Sequence, residues 1–234
     1  MIPFVELRSV DCFGLTLPVF GPLAVLGAGI GHWLLVRTLV REAIMEKRSA
    51  ELFTMACIGS AVIGSWITGR SIGGIGLALV VSIAFCIGMK QPIGKTFDVS
   101  LAMFPVGLFF LRIGCSLIHD HVGVPTTHWL GVVFPEGRAF DLGVLELLAL
   151  PGLLVLASSL RNIRRVSGAS VAPGVSGTVT LAIYCALRFS IAFAAGDPPF
   201  ASASISAVQW VFLCAGISSL LFAVMLQSRA MRTA

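Results

Sequence analysis

Charge is what this chain has least of: Asp, Glu, Lys and Arg make up 12% of its 234 residues, about half the share of an ordinary soluble domain. With 57% hydrophobic residues and a mean hydropathy of +0.98, that shortage argues against a water-soluble globule. Tyrosine occurs once, at position 184. The six cysteines (Cys12, Cys57, Cys86, Cys115, Cys185, Cys214) include no C-x-x-C pair, so neither a zinc ribbon nor a disulfide framework is signalled, and they read as small packing residues. The opening MIPFVELRSVDCFG carries Glu6 and Asp11 where a secretory signal would carry a basic region. No small-residue cleavage site follows it, so the first apolar span is expected to be retained. The net charge of +5 is not gathered into a basic stretch interleaved with aromatics, which argues against a nucleic-acid binder.

What is there is a series of apolar runs near the roughly 20 residues needed to cross a bilayer. They fall at about 13–39, 52–68, 72–89, 97–118, 142–160, 175–195 and 204–226. The expectation is an all-α, polytopic membrane protein of about seven transmembrane helices, one integral domain over residues 1–234, with a small polar outer segment at about 119–141 between spans four and five. Glycines 27, 29 and 31 suit close helix contact. Spans two and three, separated only by Gly69, Arg70 and Ser71, must form a tight helical hairpin.

Lys and Arg report orientation, because short cytoplasmic loops carry the excess. With the N-terminus outside, the inner set is Arg37, Arg41, Lys47, Arg48, Lys90, Lys95, Arg161, Arg164, Arg165, Arg229 and Arg232, leaving Arg8, Arg70, Arg112, Arg138 and Arg188. Eleven of sixteen on one side predicts the N-terminus outside and the C-terminus inside. Arg70 then sits at an outer hairpin tip, Arg112 at the outer end of span four and Arg188 in the outer half of span six. Three cations beyond those that set topology face one leaflet, which predicts a site for an anionic lipid there.

A guanidinium near hydrocarbon costs several kcal/mol unless it is paired, and is a functional-site hypothesis by default. Arg112 and Arg188 suit a lipid phosphate, which arginine binds bidentately; snorkelling, or pairing with Asp98 or Asp197 to lock helices, is the structural alternative. Tyr184 precedes Arg188 by four residues and shares its helix face; both a headgroup contact and interfacial packing fit a lone phenol. His119, Asp120 and His121 form an H-D-H run. Adjacent residues do not converge as metal ligands do, so no metal is expected, while a histidine suits a general base acting on a thiol, and a solvated loop fits the run as well. His32 and His128 read as interior or interfacial polar groups. Glycines 73, 74 and 76 in SIGGIG follow no strand and so are no phosphate loop; they suit helix contact.

These residues resemble the bacterial prolipoprotein diacylglyceryl transferase family. Asp98, Pro105 and Arg112-Ile113-Gly114 are similar to its aspartate, proline and Arg-x-Gly; Asp120, Gly123, Pro125 and Thr126 to its acidic residue, glycine and Pro-Thr. Trp129 to Pro135 resembles its Trp-Gly-Val-x-Phe-Pro run with one insertion, and Val144, Leu145 and Glu146 resemble its Leu-Tyr-Glu. Tyr184 and Arg188 match its Tyr-x-x-x-Arg, and Gln209 its late glutamine. The resemblance implies transfer of a diacylglyceryl group from phosphatidylglycerol to the lipobox cysteine of a prolipoprotein, in the bacterial inner membrane and without a cofactor. It also implies Arg112 and Arg188 on the headgroup phosphate, Tyr184 assisting departure, and Asp120 and Gly123 near the incoming cysteine, with Asp98, Glu146 and Gln209 in support and His119 or His121 as a base. The pattern departs where the family's His-Gly-Gly has Ile72, its asparagine after Arg-x-Gly has Cys115, its tyrosine near span one has Phe13, its His-Pro-x-Gln has 140–143, and its later glutamate and arginine have Ala192 and Ala195. Because of Ile72, a non-catalytic protein that binds or transports anionic phospholipid on the same scaffold is the alternative.

Overall fold

The computed structural model describes residues 1–12, 15–69, 71–167, 171–196 and 206–233. Seven helices carry the described chain: α1 (Phe20–Arg41), α2 (Lys47–Thr68), α3 (Ser71–Gly88), α4 (Ile93–Ile118), α5 (Leu142–Ser167), α6 (Val175–Ala192) and α7 (Ala207–Thr233). Six are long and apolar enough to cross a membrane, and the apolar part of α3, Ile72–Gly88, is shorter. The molecule is thus the all-α polytopic membrane protein that the apolar runs predict. Span one begins at Phe20 rather than near residue 13, and Phe13 itself lies outside the described residues.

Small residues set how closely the helices approach. In the α2–α3 hairpin, Gly69 takes the left-handed conformation (φ 63°) that stops α2, a turn open to glycine without a Cβ clash. A methyl group on Gly64 would sit 2.5 Å from the Gly73 carbonyl oxygen, and one on Gly73 or Gly74 would strike Thr68 or Ser65. Gly76 faces open space, so only two glycines of SIGGIG make the contact. Similarly, a methyl on Gly27 of α1 would lie 2.9 Å from the Gly107 carbonyl of α4, with Gly31 one turn on at the same seam and Gly29 facing away.

Helix α4 is the central post, packed against α1, α5 and α6. Pro105 lies buried inside it, at the cost of one backbone hydrogen bond. Near the start of α4 the Asp98 carboxylate accepts hydrogen bonds from Gly174 N (2.8 Å), Gly177 N (2.8 Å) and Ser176 Oγ (2.7 Å). Those donors form the first turn of α6, whose orphan N–H groups and positive dipole end are thus satisfied by a carboxylate from another helix. Gly177 is required there: its Cβ would lie 2.8 Å from the Phe97 carbonyl oxygen.

The polar segment between α4 and α5 has secondary structure of its own. It folds as β4 (Val122–Pro125), β5 (Val132–Phe134) and β6 (Gly137–Asp141), and β1 (Ile2–Pro3) joins from the N-terminus. The order is β1-β5-β6-β4, with β1 parallel to β5 and the other pairs antiparallel. Gly137 (φ 138°) makes the tight β5–β6 turn, while Val132 and Ala139 point inward and are buried. A second hairpin, β2 (Ser9–Cys12) and β3 (Leu15–Pro18), leads into α1.

Candidate functional site

Glu146, on the second turn of α5, is fully buried, and the cations meet on it. Arg112, near the end of α4, places Nε 2.7 Å from Glu146 Oε2. Arg188, from α6, donates Nη1 to the same oxygen at 2.5 Å. Tyr184, one turn earlier on α6, donates its O–H to Glu146 Oε1 at 2.9 Å. Three side chains from two helices therefore converge on one carboxylate of a third. Burying these charges is tolerable only because they are paired.

The pairing is incomplete in a telling way. Arg112 Nε is near enough to Glu146 for attraction but poorly aligned for an N–H···O bond, and it is buried without a hydrogen-bond partner, as is Arg188 Nε. Gln209 Nε2 is in the same condition, while its Oε1 accepts Ser206 N at 2.7 Å. Gln209 lies three residues before Phe212 on α7, hence on the same face, and Phe212 supports the Arg188 guanidinium at 5.4 Å. Of the four unpartnered buried side-chain atoms among the described residues, these are three, and the fourth is Ser100 Oγ. All three are N–H donors on groups of the same cluster or on the helix that packs on it. A buried unmet donor is rare and needs an explanation; a group of them fits an anion.

Apolar space adjoins the cluster. A cavity of about 340 Å³ runs between α1, α2, α3 and α4, its wall including Leu111, next to Arg112, and Phe104, which packs edge-on against Tyr184 at 5.1 Å. His32, bonded to Thr54 at 2.7 Å, lines it as one of its few polar groups.

The other predicted residues are distributed differently. Asp98 lies fourteen residues before Arg112 on α4, about 21 Å away along a helix rising 1.5 Å per residue; its role is the α6 cap. His119 ends α4 in a left-handed conformation (φ 51°). Its Nδ1 meets Asp141 Oδ2 at 2.6 Å and its Nε2 meets the Val5 carbonyl at 3.1 Å, while its ring stacks on Phe4 at 4.7 Å. With both nitrogens engaged, it ties α4, the sheet and the N-terminal segment together. Asp141 also accepts Val144 N at 2.9 Å and so caps α5. Reading the sequence overlooked it, although an acidic residue just ahead of an apolar run is a helix-start signal.

Asp120 and His121 are exposed, with 37% and 48% of their side chains accessible. Gly123 is held by backbone contact: a Cβ there would strike the Ala194 carbonyl oxygen, which accepts Val124 N at 2.9 Å. Arg70 and Asp197 lie outside the described residues. Cys115, read as a packing residue, accepts Arg112 Nη1 at 3.6 Å. Its sulfur lies within 4.8 Å of ligand atoms of both Asp120 and His121.

A many-helix membrane protein with a buried Arg-Arg-Glu-Tyr cluster is the class that fold and site define. The family model for prolipoprotein diacylglyceryl transferase matches residues 61–225, well over half of the chain, and the protein belongs to that family. No curated protein matches it.

Proposed function

We propose that this protein transfers the diacylglyceryl group of phosphatidylglycerol to the lipobox cysteine thiol of a prolipoprotein, with its N-terminus and site at the outer side of a bacterial inner membrane. One observation carries the reading: Arg112 and Arg188 reach the same Glu146 oxygen, and the buried Arg188 Nε has no hydrogen-bond partner. Two guanidiniums and one carboxylate leave one formal positive charge, which matches a phosphodiester monoanion. Glu146 holds the two cations together before the lipid arrives, so that little reorganisation remains when it binds.

In the reaction the acceptor sulfur forms a bond to the glyceryl carbon carrying the phosphate, and the carbon–oxygen bond breaks. The electron pair leaves on glycerol phosphate, stabilised by Arg112 and Arg188. The thiol proton passes to solvent or to His121, the exposed histidine near the site. Tyr184, held by Glu146, stands beside the departing oxygen, and the apolar cavity receives acyl chain. The test is incubation of the purified protein with phosphatidylglycerol and a lipobox peptide. A thioether-linked diacylglyceryl peptide is expected, and its absence where another family member forms it rejects the reading.

Ile72, where the family has histidine, keeps a second reading in view: a phospholipid-binding or transport protein on the same scaffold. It predicts phosphatidylglycerol binding that depends on Arg112 and Arg188 with no covalent product.

A further inference from the structure

We infer that Cys115, Asp120 and His121 form a binding site for a thiophilic divalent cation of the zinc class, whose open position takes the acceptor thiolate; this rests on the transferase reading. Cys115 lies on the last turns of α4, three residues after Arg112 and on the same face. The left-handed His119 (φ 51°) ends the helix, and the chain turns back over it. This brings ligand atoms of Asp120 and His121 to within 4.8 Å of each other and of the sulfur. Consecutive residues alone do not make such a site, but the buried thiol beneath them supplies the donor from another direction.

The donor set is sulfur, nitrogen and oxygen, all of which zinc accepts. Three protein ligands with a fourth position open is the arrangement of reactive rather than structural zinc. Cys115 is 6% exposed, whereas Asp120 and His121 are exposed, so the closed side of the site faces the helix bundle and the open side faces water, where a secreted cysteine arrives. Outer partners are also in place. Arg112 Nη1 donates to Cys115 Sγ at 3.6 Å, and His121 Nδ1 lies 2.9 Å from the Asp120 carbonyl oxygen. Contacts of this kind orient metal ligands.

A thiol that coordinates such a cation loses its proton outright, here to solvent, so that in this arrangement His121 serves as a ligand and not as the base. The acceptor would therefore be delivered as thiolate beside the guanidinium that holds the phosphate, and the missing histidine at position 72 would not be needed. The bound sulfur then forms the carbon–sulfur bond while glycerol phosphate departs with the electron pair, and the thioether dissociates from the metal.

The experiment is titration of the metal-stripped, full-length protein with Co²⁺, followed by competition with Zn²⁺. The expected result is one Co²⁺ per chain with a sulfur-to-cobalt charge-transfer band, displaced by Zn²⁺. Cys115→Ser should abolish the band, Cys57→Ser should keep it, and His121→Ala, an exposed change that leaves the fold intact, should weaken binding by at least about 100-fold, since a direct ligand is worth more than a supporting partner, whose loss costs about 10–100-fold. No stoichiometric band, or a band unchanged in Cys115→Ser and His121→Ala, overturns the site. Thioether formation at full rate by metal-free protein also overturns it and leaves the transferase reading intact. Metal bound with no thioether formed with any phospholipid rejects the thiolate-delivery role together with the transferase reading.

Discussion

Arg112 and Arg188 come from different helices, seventy-six residues apart, yet both contact Glu146 Oε2, at 2.7 and 2.5 Å. Like charges do not share a buried space without a reason, and here the carboxylate between them supplies part of it. In the proposed function the rest is the lipid phosphate, which the unpartnered Nε of Arg188 would meet.

Substitution of Glu146 by alanine should be among the most damaging single changes. It leaves two guanidiniums facing each other in a buried site, and breaking a buried pair from one side costs about 3–5 kcal/mol. Thermal unfolding in detergent should show a large drop in midpoint. A wild-type midpoint would contradict the buried cluster.

Tyr184→Phe removes one hydroxyl and leaves Glu146 Oε1 without its 2.9 Å donor. The cost in stability should be about 1–2 kcal/mol. The transfer rate should fall more than phosphatidylglycerol affinity does, because in the proposed reaction the hydroxyl serves the departing oxygen rather than the phosphate. Rate and affinity measured on the same preparation separate the two effects.

Asp98→Asn tests a structural carboxylate far from the clamp. It weakens three hydrogen bonds to the first turn of α6, so stability should fall by about 1–3 kcal/mol. In the folded fraction the lipid dissociation constant should stay within about twofold, since the clamp lies about 21 Å away. A selective loss of lipid affinity at unchanged stability would contradict this division of labour.

Gly73 and Gly76 should respond in opposite ways to substitution. Gly73→Val forces a side chain into Thr68 and the Gly64 carbonyl, whereas Gly76→Ala enters open space. The yield of monodisperse protein should collapse for the first and hold for the second.

Much of this fold is legible in the sequence because the bilayer leaves few choices: apolar runs of spanning length are helices, and the glycines at 27, 31, 73 and 74 mark their contacts. Arg112 and Arg188 stand out for the same reason, since a cation in an apolar run is costly. Their meeting on Glu146 is not legible, because no spacing rule links residues 112, 146 and 188; only the family resemblance points to Glu146 at all. The four-stranded sheet escapes because its strands β4 to β6 are three to five residues long and one partner, Ile2–Pro3, arrives from more than a hundred residues away. His119 read as a base candidate, and the structure engages both its nitrogens. The approach of Cys115 to Asp120 and His121 is not legible either, since it depends on how the chain turns after the end of α4.

The most direct test of the central claim is a double-mutant cycle on phosphatidylglycerol affinity with Arg112→Ala, Arg188→Ala and the double variant, in the full chain. If both guanidiniums hold one phosphate, each single change weakens binding by at least about tenfold, or 1.4 kcal/mol, and the double change differs from their sum by about 1 kcal/mol or more. Affinity that survives either single substitution, or strictly additive losses, contradicts a shared phosphate.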